Sequence, residues 1–396
     1  MRNKFFLEIS LLLASTLTIL ANAIIAPSLP LISNTFKDVR QVEILTKMML
    51  TLPALTIAIV APLVGRLLDR AGRIKVLMFS LVIYIVAGTS GFWLDNLWAI
   101  LAGRFVLGLG VAGIMTVSTT LIGDYFTGEK REHFLGLQGV FVALGGLVFI
   151  TTAGFLADIN WRYTFLIYGF AVVVLFLAPI ALYEPEIRSQ TKNTSNGKDA
   201  ASPVMWVAFL SAFLTSVAFY MVPVQLPFLL QKIPGITSNQ VGLAVGSLPF
   251  AQAIASFFYK KIKKKFSFVG IYSLGFVPMA FGFWVIGFSQ TYWQIITGIL
   301  ISGLGVGLLI PNSNLWVISL APVQVRGKYI GVLTTATFMG MFLSPVIMQP
   351  IVSLLDINLS FVVLGVALAI ISFLYWVGKG KIDQLEFART VGPFRT

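Results

Sequence analysis

Twelve runs of predominantly apolar residues recur from end to end of this chain, each long enough to cross the ~30 Å hydrocarbon layer of a bilayer. The first six lie near Phe6–Ile32, Thr46–Leu68, Val76–Leu94, Trp98–Ile122, Phe134–Leu156 and Thr164–Tyr183. The second six lie near Val204–Leu230, Val241–Tyr259, Phe268–Phe288, Gln294–Leu320, Ile330–Leu354 and Phe361–Val377. With 57% of its residues hydrophobic and only 11% charged, the chain has too few charges to clothe a soluble domain. Lipid offers no partners to free backbone groups, so runs of this length are expected as helices rather than barrel strands. The fold class that follows is an all-α membrane protein with twelve transmembrane helices.

The basic residues predict its orientation. With loops assigned alternately to the two sides, one side holds only Lys37, Arg40, Lys47, Arg162 and Lys232, and Arg104 falls inside a span. The remaining Lys and Arg share the other side with both termini, which the positive-inside rule makes cytoplasmic. The net charge of +13 then reflects topology and anionic headgroups, not a nucleic-acid surface. The chain has no cysteine, which excludes disulfides and thiolate metal sites. Arg2, Lys4 and the Ala21-Asn22-Ala23 sequence imitate a secretory signal, but cleavage there would leave eleven spans and break the repeat described next.

At an offset of 195 positions, Gly103, Gly108-Leu109-Gly110-Val111, Arg131, Gly136 and Gly145 meet Gly298, Gly303-Leu304-Gly305-Val306, Arg326, Gly331 and Gly340. Pro27 and Pro30 in the first span are echoed by Pro223 and Pro227 in the seventh. Six spans per copy is an even number, so the two copies share one orientation. The expected architecture is two pseudo-twofold-related six-helix bundles, with a solute site near the midplane at the repeat interface. Residues 1–187 form the first bundle in this reading, the polar stretch 188–202 a cytoplasmic linker, and 203–396 the second bundle with a short charged tail after Val377.

Between the second and third spans lies Gly65-Arg-Leu-Leu-Asp-Arg-Ala-Gly-Arg-Ile-Lys75, a charged turn where the chain must reverse at the membrane surface. It resembles the G-x-L-a-D-r-x-G-r-[kr] signature of the major facilitator superfamily. Gly103-Arg-Phe-Val-Leu-Gly-Leu-Gly-Val-Ala112 is similar to that family's R-x-x-x-G-x-G in the fourth span, and Trp161-Arg162-Tyr-Thr-Phe165 resembles its W-R-x-x-F. The twelve-span drug:proton antiporter group is the nearest resemblance. Two positions depart from it: Asn22 stands close to where that group usually has an acid, and Phe149-Ile-Thr-Thr-Ala-Gly154 keeps only the last glycine of G-P-x-x-G-G.

The resemblance implies that Asp69 locks a cytoplasmic gate, with Arg326 as the candidate partner, while Asp124 is placed to hold Arg70 or Arg73. Gly65 and Gly72 are expected to allow the tight reversal and close helix approach. Arg104 is the one basic residue deep within a predicted span, and its repeat partner is Ile299. A cation there costs roughly 3 kcal/mol on insertion scales. It is therefore expected to face a wet cavity and bind solute or tune a proton carrier, or else to hydrogen-bond backbone carbonyls of its neighbours. Asn22, Gln138, Tyr220, Gln225, Gln252, Asn312 and Asn314 are the uncharged polar candidates for the pathway, with interhelical bonding as their alternative role. No Asp or Glu lies mid-span, and His133, the only histidine, sits at a span end where it is expected to be solvated.

No catalytic constellation, phosphate loop or metal-ligand cluster is visible, so neither an enzyme nor an ATP-driven pump is expected. The expectation is a monomeric plasma-membrane carrier that needs no cofactor. It would export a small amphiphilic or apolar organic compound against proton influx. The alternatives are a facilitator or symporter for a neutral or anionic metabolite, and a non-transporting sensor or scaffold.

Overall fold

In the computed structural model the backbone is described for residues 4–185, 203–322 and 325–391. Stretch 188–202, read as the linker, falls outside them, as do the side chains of Asn22, Arg66 and Asp69. The regular structure of the described residues is helical: α1 (Lys4–Ala23), α2 (Leu29–Thr35), α3 (Val42–Ala71), α4 (Arg73–Trp93), α5 (Leu97–Tyr125), α6 (Gly128–Ile159), α7 (Ala171–Ala181), α8 (Pro203–Leu230), α9 (Ser238–Lys263), α10 (Phe268–Gly287), α11 (Tyr292–Leu320), α12 (Arg326–Leu355) and α13 (Ile357–Val391). They supply twelve stretches long and apolar enough to cross a membrane. The chain is a multi-pass membrane protein.

Two spans are composite. The first joins α1 to α2 through a 3₁₀ turn at Ala26–Ser28, because Pro27 and Pro30 cannot donate the bonds that a continuous helix needs there. The sixth begins as a ten-residue 3₁₀ helix, Trp161–Phe170, and widens into α7. Elsewhere the helices outrun their predicted ends: α6 starts at Gly128, and α13 continues through the stretch read as a tail to Val391. Large apolar side chains such as Phe79, Phe176, Trp206, Phe257 and Trp376 stay exposed, as a surface facing lipid requires.

By backbone contacts the chain divides into two compact units. One comprises Met1–Thr191, Tyr220–Phe250 and Met341–Gln349, and the other Lys192–Phe219, Ala251–Gly340 and Pro350–Thr396. Within the first, α5 packs on α3 and α4; within the second, α10 packs on α11 and α13. The glycine-rich faces set these contacts. A Cβ on Gly110 would sit 2.8 Å from the Ser80 carbonyl and 2.9 Å from the Tyr84 nitrogen, and one on Gly305 would collide with the Gly275 carbonyl and lie 3.1 Å from the Met279 nitrogen. Gly275 and Met279 stand 195 positions after Ser80 and Tyr84, so the sequence repeat is also a repeat of helix-packing register inside each unit. Backbones approach this closely only where side chains are absent.

Candidate functional site

Chain direction alternates from span to span. Within the first unit the α3–α4 turn therefore lies at the end of the spans where α1 starts, and residues 43–49, 158, 225–238 and 349 lie toward the opposite end.

At the terminal end, Gly72 has φ +89°, a conformation that favours glycine, and this lets α3 reverse into α4. Gly65 has open space where a Cβ would stand, so the close approach expected of it does not occur. The turn is held from outside. The Glu184 carboxylate accepts the Arg73 and Ile74 backbone N–H groups at 2.7 and 2.9 Å, capping the free donors of α4's first turn. Arg73 Nε donates to Asp124 at 2.6 Å, while Arg70 is exposed. Tyr125 bonds the backbone of Tyr183 and fixes the segment that carries Glu184. Glu184 was not among the sequence candidates. It stands 111 positions from Arg73, and no local pattern joins them. Substituting Glu184 by Ala would strip an acceptor from two helix-start N–H groups, worth about 1 kcal/mol. Faster amide exchange across residues 72–76 in a protein that still folds is the expected result. Arg326, at the start of α12, is half-buried with its Nε unpartnered.

Toward the opposite end, Arg104 is fully buried. Its Nε donates to the Met49 carbonyl at 2.9 Å, one terminal nitrogen to Tyr168 Oη at 2.7 Å, and the other to the Ala21 carbonyl at 2.6 Å. The guanidinium thus ties α1, α3 and the 3₁₀ stretch to α5. Of the two roles open to it from the sequence, this geometry is the carbonyl-bonded one. No acid neutralises its charge among the described side chains, all of whose carboxylates are exposed or half-buried. Tyr84 donates to the Leu17 carbonyl and packs edge-on against Tyr168, and Tyr220 lies within electrostatic reach of Arg104 and Tyr168.

Lys47 differs from the sequence expectation, which places it among the loop charges: it sits one turn inside α3 and is 3% exposed. Its Nζ donates to Gln349 Oε1 at 2.6 Å and lies 4.8 Å from the centre of the Phe228 ring. Gln349 in turn donates to Glu43 at 3.1 Å. The Glu43-x-x-x-Lys47 spacing was the available signal, hidden because the apolar run begins only at Thr46. Gln225, one turn before Phe228 on α8, is fully buried with both amide atoms unpartnered.

The other candidates disperse. Gln138 donates to Ser15 at 2.7 Å, joining α6 to α1. In the second unit, Asn312 accepts from Tyr259 and donates to the Phe268 carbonyl; Asn314 is exposed and bonds its own helix; Gln252 is half-buried. His133 is exposed. At the far end of α6, Asp158 caps α9 by accepting from the Ser238 and Asn239 nitrogens, and a groove of about 600 Å³ opens beside it, lined in part by Asn34, Trp161 and Arg162. Arg162 pairs with Asp95 at 2.7 Å and covers Trp161, which gives the Trp-Arg motif a structural task.

A duplicated set of twelve spans, a glycine-bearing charged turn and buried cations toward the far end define the class of helical, internally repeated membrane carriers. The sequence profile of the Major Facilitator Superfamily matches residues 11–233 and 208–390, and the chain belongs to that superfamily, whose members are transporters and not enzymes. It is 23% identical to a multi-drug resistance efflux pump PmrA homolog of Lactococcus lactis over 85% of this chain and 84% of that one. A 114-residue segment is 34% identical to the niacin transporter NiaP of Acinetobacter baylyi, covering 28% and 26% of the two chains. A segment 35% identical to an MFS-type transporter of Aspergillus terreus spans 18% of that relative's length. Among solved structures, a D-xylose-proton symporter superposes with a TM-score of 0.78 at 15% identity, covering 94% of this chain and 97% of the other. A bacterial homolog of the human lysosomal transporter Spinster does so with a TM-score of 0.78 at 16% identity, covering 96% and 97%.

Proposed function

We propose that the protein is a secondary active transporter that works by alternating access and exports a small amphiphilic organic compound in exchange for protons. The observation that carries this reading is the end-to-end likeness to an efflux pump, which extends over 85% of the chain. The doubled helix-packing register supports it, since paired bundles are what alternate exposure of one site requires. In this reading the protein lies in the plasma membrane with both termini cytoplasmic, acts as a monomer and needs no cofactor beyond the proton gradient. Asp69 would work with Arg326 at the cytoplasmic gate.

A second reading, uptake or facilitated passage of a neutral or anionic metabolite, is favoured by a specific observation. Among the described residues the buried charges are the cations Lys47 and Arg104, and Asn22 stands close to where an antiporter usually has an acid. Flux in proteoliposomes separates the readings. Solute movement driven by an imposed pH gradient is the expected result. Exchange indifferent to that gradient would establish the facilitator, and no flux of any compound in a broad panel would leave a sensor or scaffold.

A further inference from the structure

We infer that the transported compound carries an anionic headgroup, taken by a cationic site on α3 and α8 in which Lys47 and Gln225 are the contacting residues. The inference rests on the transport reading above and adds the chemical class of the solute.

Two cations converge on one short stretch of α3. Lys47 belongs to it, and Arg104 reaches it from α5 through the Met49 carbonyl, two residues further along. Both are buried, and no described acid is buried with them. Glu43, one turn before Lys47 on the same helix, is the carboxylate in reach; it acts on Lys47 through its charge and through Gln349, but it lies at the exposed end and is not buried with it. The Arg104 donors are occupied by carbonyls and a hydroxyl, so it offers the solute no contact. Lys47 differs. Its bond to Gln349 is to a neutral amide, which an anion outcompetes as an acceptor for an ammonium donor.

The second, independent observation is Gln225. A buried amide with neither its donor nor its acceptor satisfied is costly, and native proteins rarely keep such a group without a water, ion or ligand to complete it. Residues three apart on a helix share a face, so Gln225 lies one turn along α8 from Phe228, whose ring covers the Lys47 ammonium. An amide N–H and an ammonium approaching through the Phe228 turn, with no buried carboxylate among the described residues, select a carboxylate or phosphate headgroup over an amine. The Phe228 ring offers an apolar wall for the rest of an amphiphile. When Gln349 and Phe228 withdraw from α3, Lys47 is left open to that headgroup.

The test uses purified full-length protein and matched probes on several aryl and alkyl scaffolds, each as carboxylate, primary amide and amine. Thermal stabilisation and counterflow in proteoliposomes are measured at neutral pH. Carboxylates are expected to stabilise the protein and to move. Lys47→Met and Gln225→Leu should each weaken carboxylate binding by about tenfold or more, and Lys47→Arg should retain it. Ligand-free melting of each variant separates lost binding from lost folding. Preferential binding of the amines, binding by no carboxylate, or equal carboxylate binding in a folded Lys47→Met protein would each overturn the inference. Movement of an amide or amine in those same vesicles would leave transport itself standing, and movement of no probe on any scaffold would count against both.

Discussion

Replacing Arg104 by Ala is expected to abolish transport and to destabilise the protein at the same time. The guanidinium satisfies two backbone carbonyls and a tyrosine hydroxyl in a fully buried setting. Stranding buried polar groups costs about 1–3 kcal/mol each, so a loss of about 3 kcal/mol or more is expected from this one substitution. Lysine should rescue it only in part, since one ammonium cannot reach along three separate directions as the planar fork does. Thermal melting in detergent beside initial-rate flux makes the check. Transport lost from a protein that melts normally would move Arg104 from the scaffold to the solute.

Gly154→Val is expected to shift the protein toward a state in which α6 and α9 have parted. A Cβ at Gly154 would collide with the Ser238 carbonyl and lie 2.8 Å from the Asn239 Cα, and one at Gly242 would lie 3.3 Å from the Gly154 Cα. The two helices touch through these glycines, and Asp158 pins the first turn of α9 four residues beyond. Gly154 is also the one glycine kept from the antiporter pattern in this span. Overpacking such a contact costs roughly 1–3 kcal/mol, enough to move a two-state equilibrium about 5- to 150-fold. The chain has no cysteine, so a single Gln225→Cys reports without background. Its labelling by a membrane-impermeant maleimide should speed up about tenfold in the Gly154→Val protein. An unchanged rate in a folded protein would show that this contact does not control access.

Much of the architecture could be read from the chain. The number of spans, the positions of their loops and the duplication followed from apolar length and from matching glycines, and Gly110 and Gly305 prove to make equivalent backbone contacts. Span ends were less legible. Lys47 lies one residue into an apolar run and reads as a loop charge, because long cationic side chains at a helix end ordinarily reach for water. The reading of Arg104 left two roles open, and only its partners distinguish them.

The sequence by itself determined that this is a twice-repeated set of membrane-crossing helices, because a bilayer imposes its length and polarity on each segment separately. Which polar groups meet was decided by tertiary structure alone: Lys47 with Gln349 across 302 positions, and Arg73 with Glu184 across 111. In a soluble helix the polar face shows which side is buried. Here lipid and the protein interior are both apolar, so rotation about each helix axis leaves no periodic trace, and the charged contacts appear only once the helices are packed.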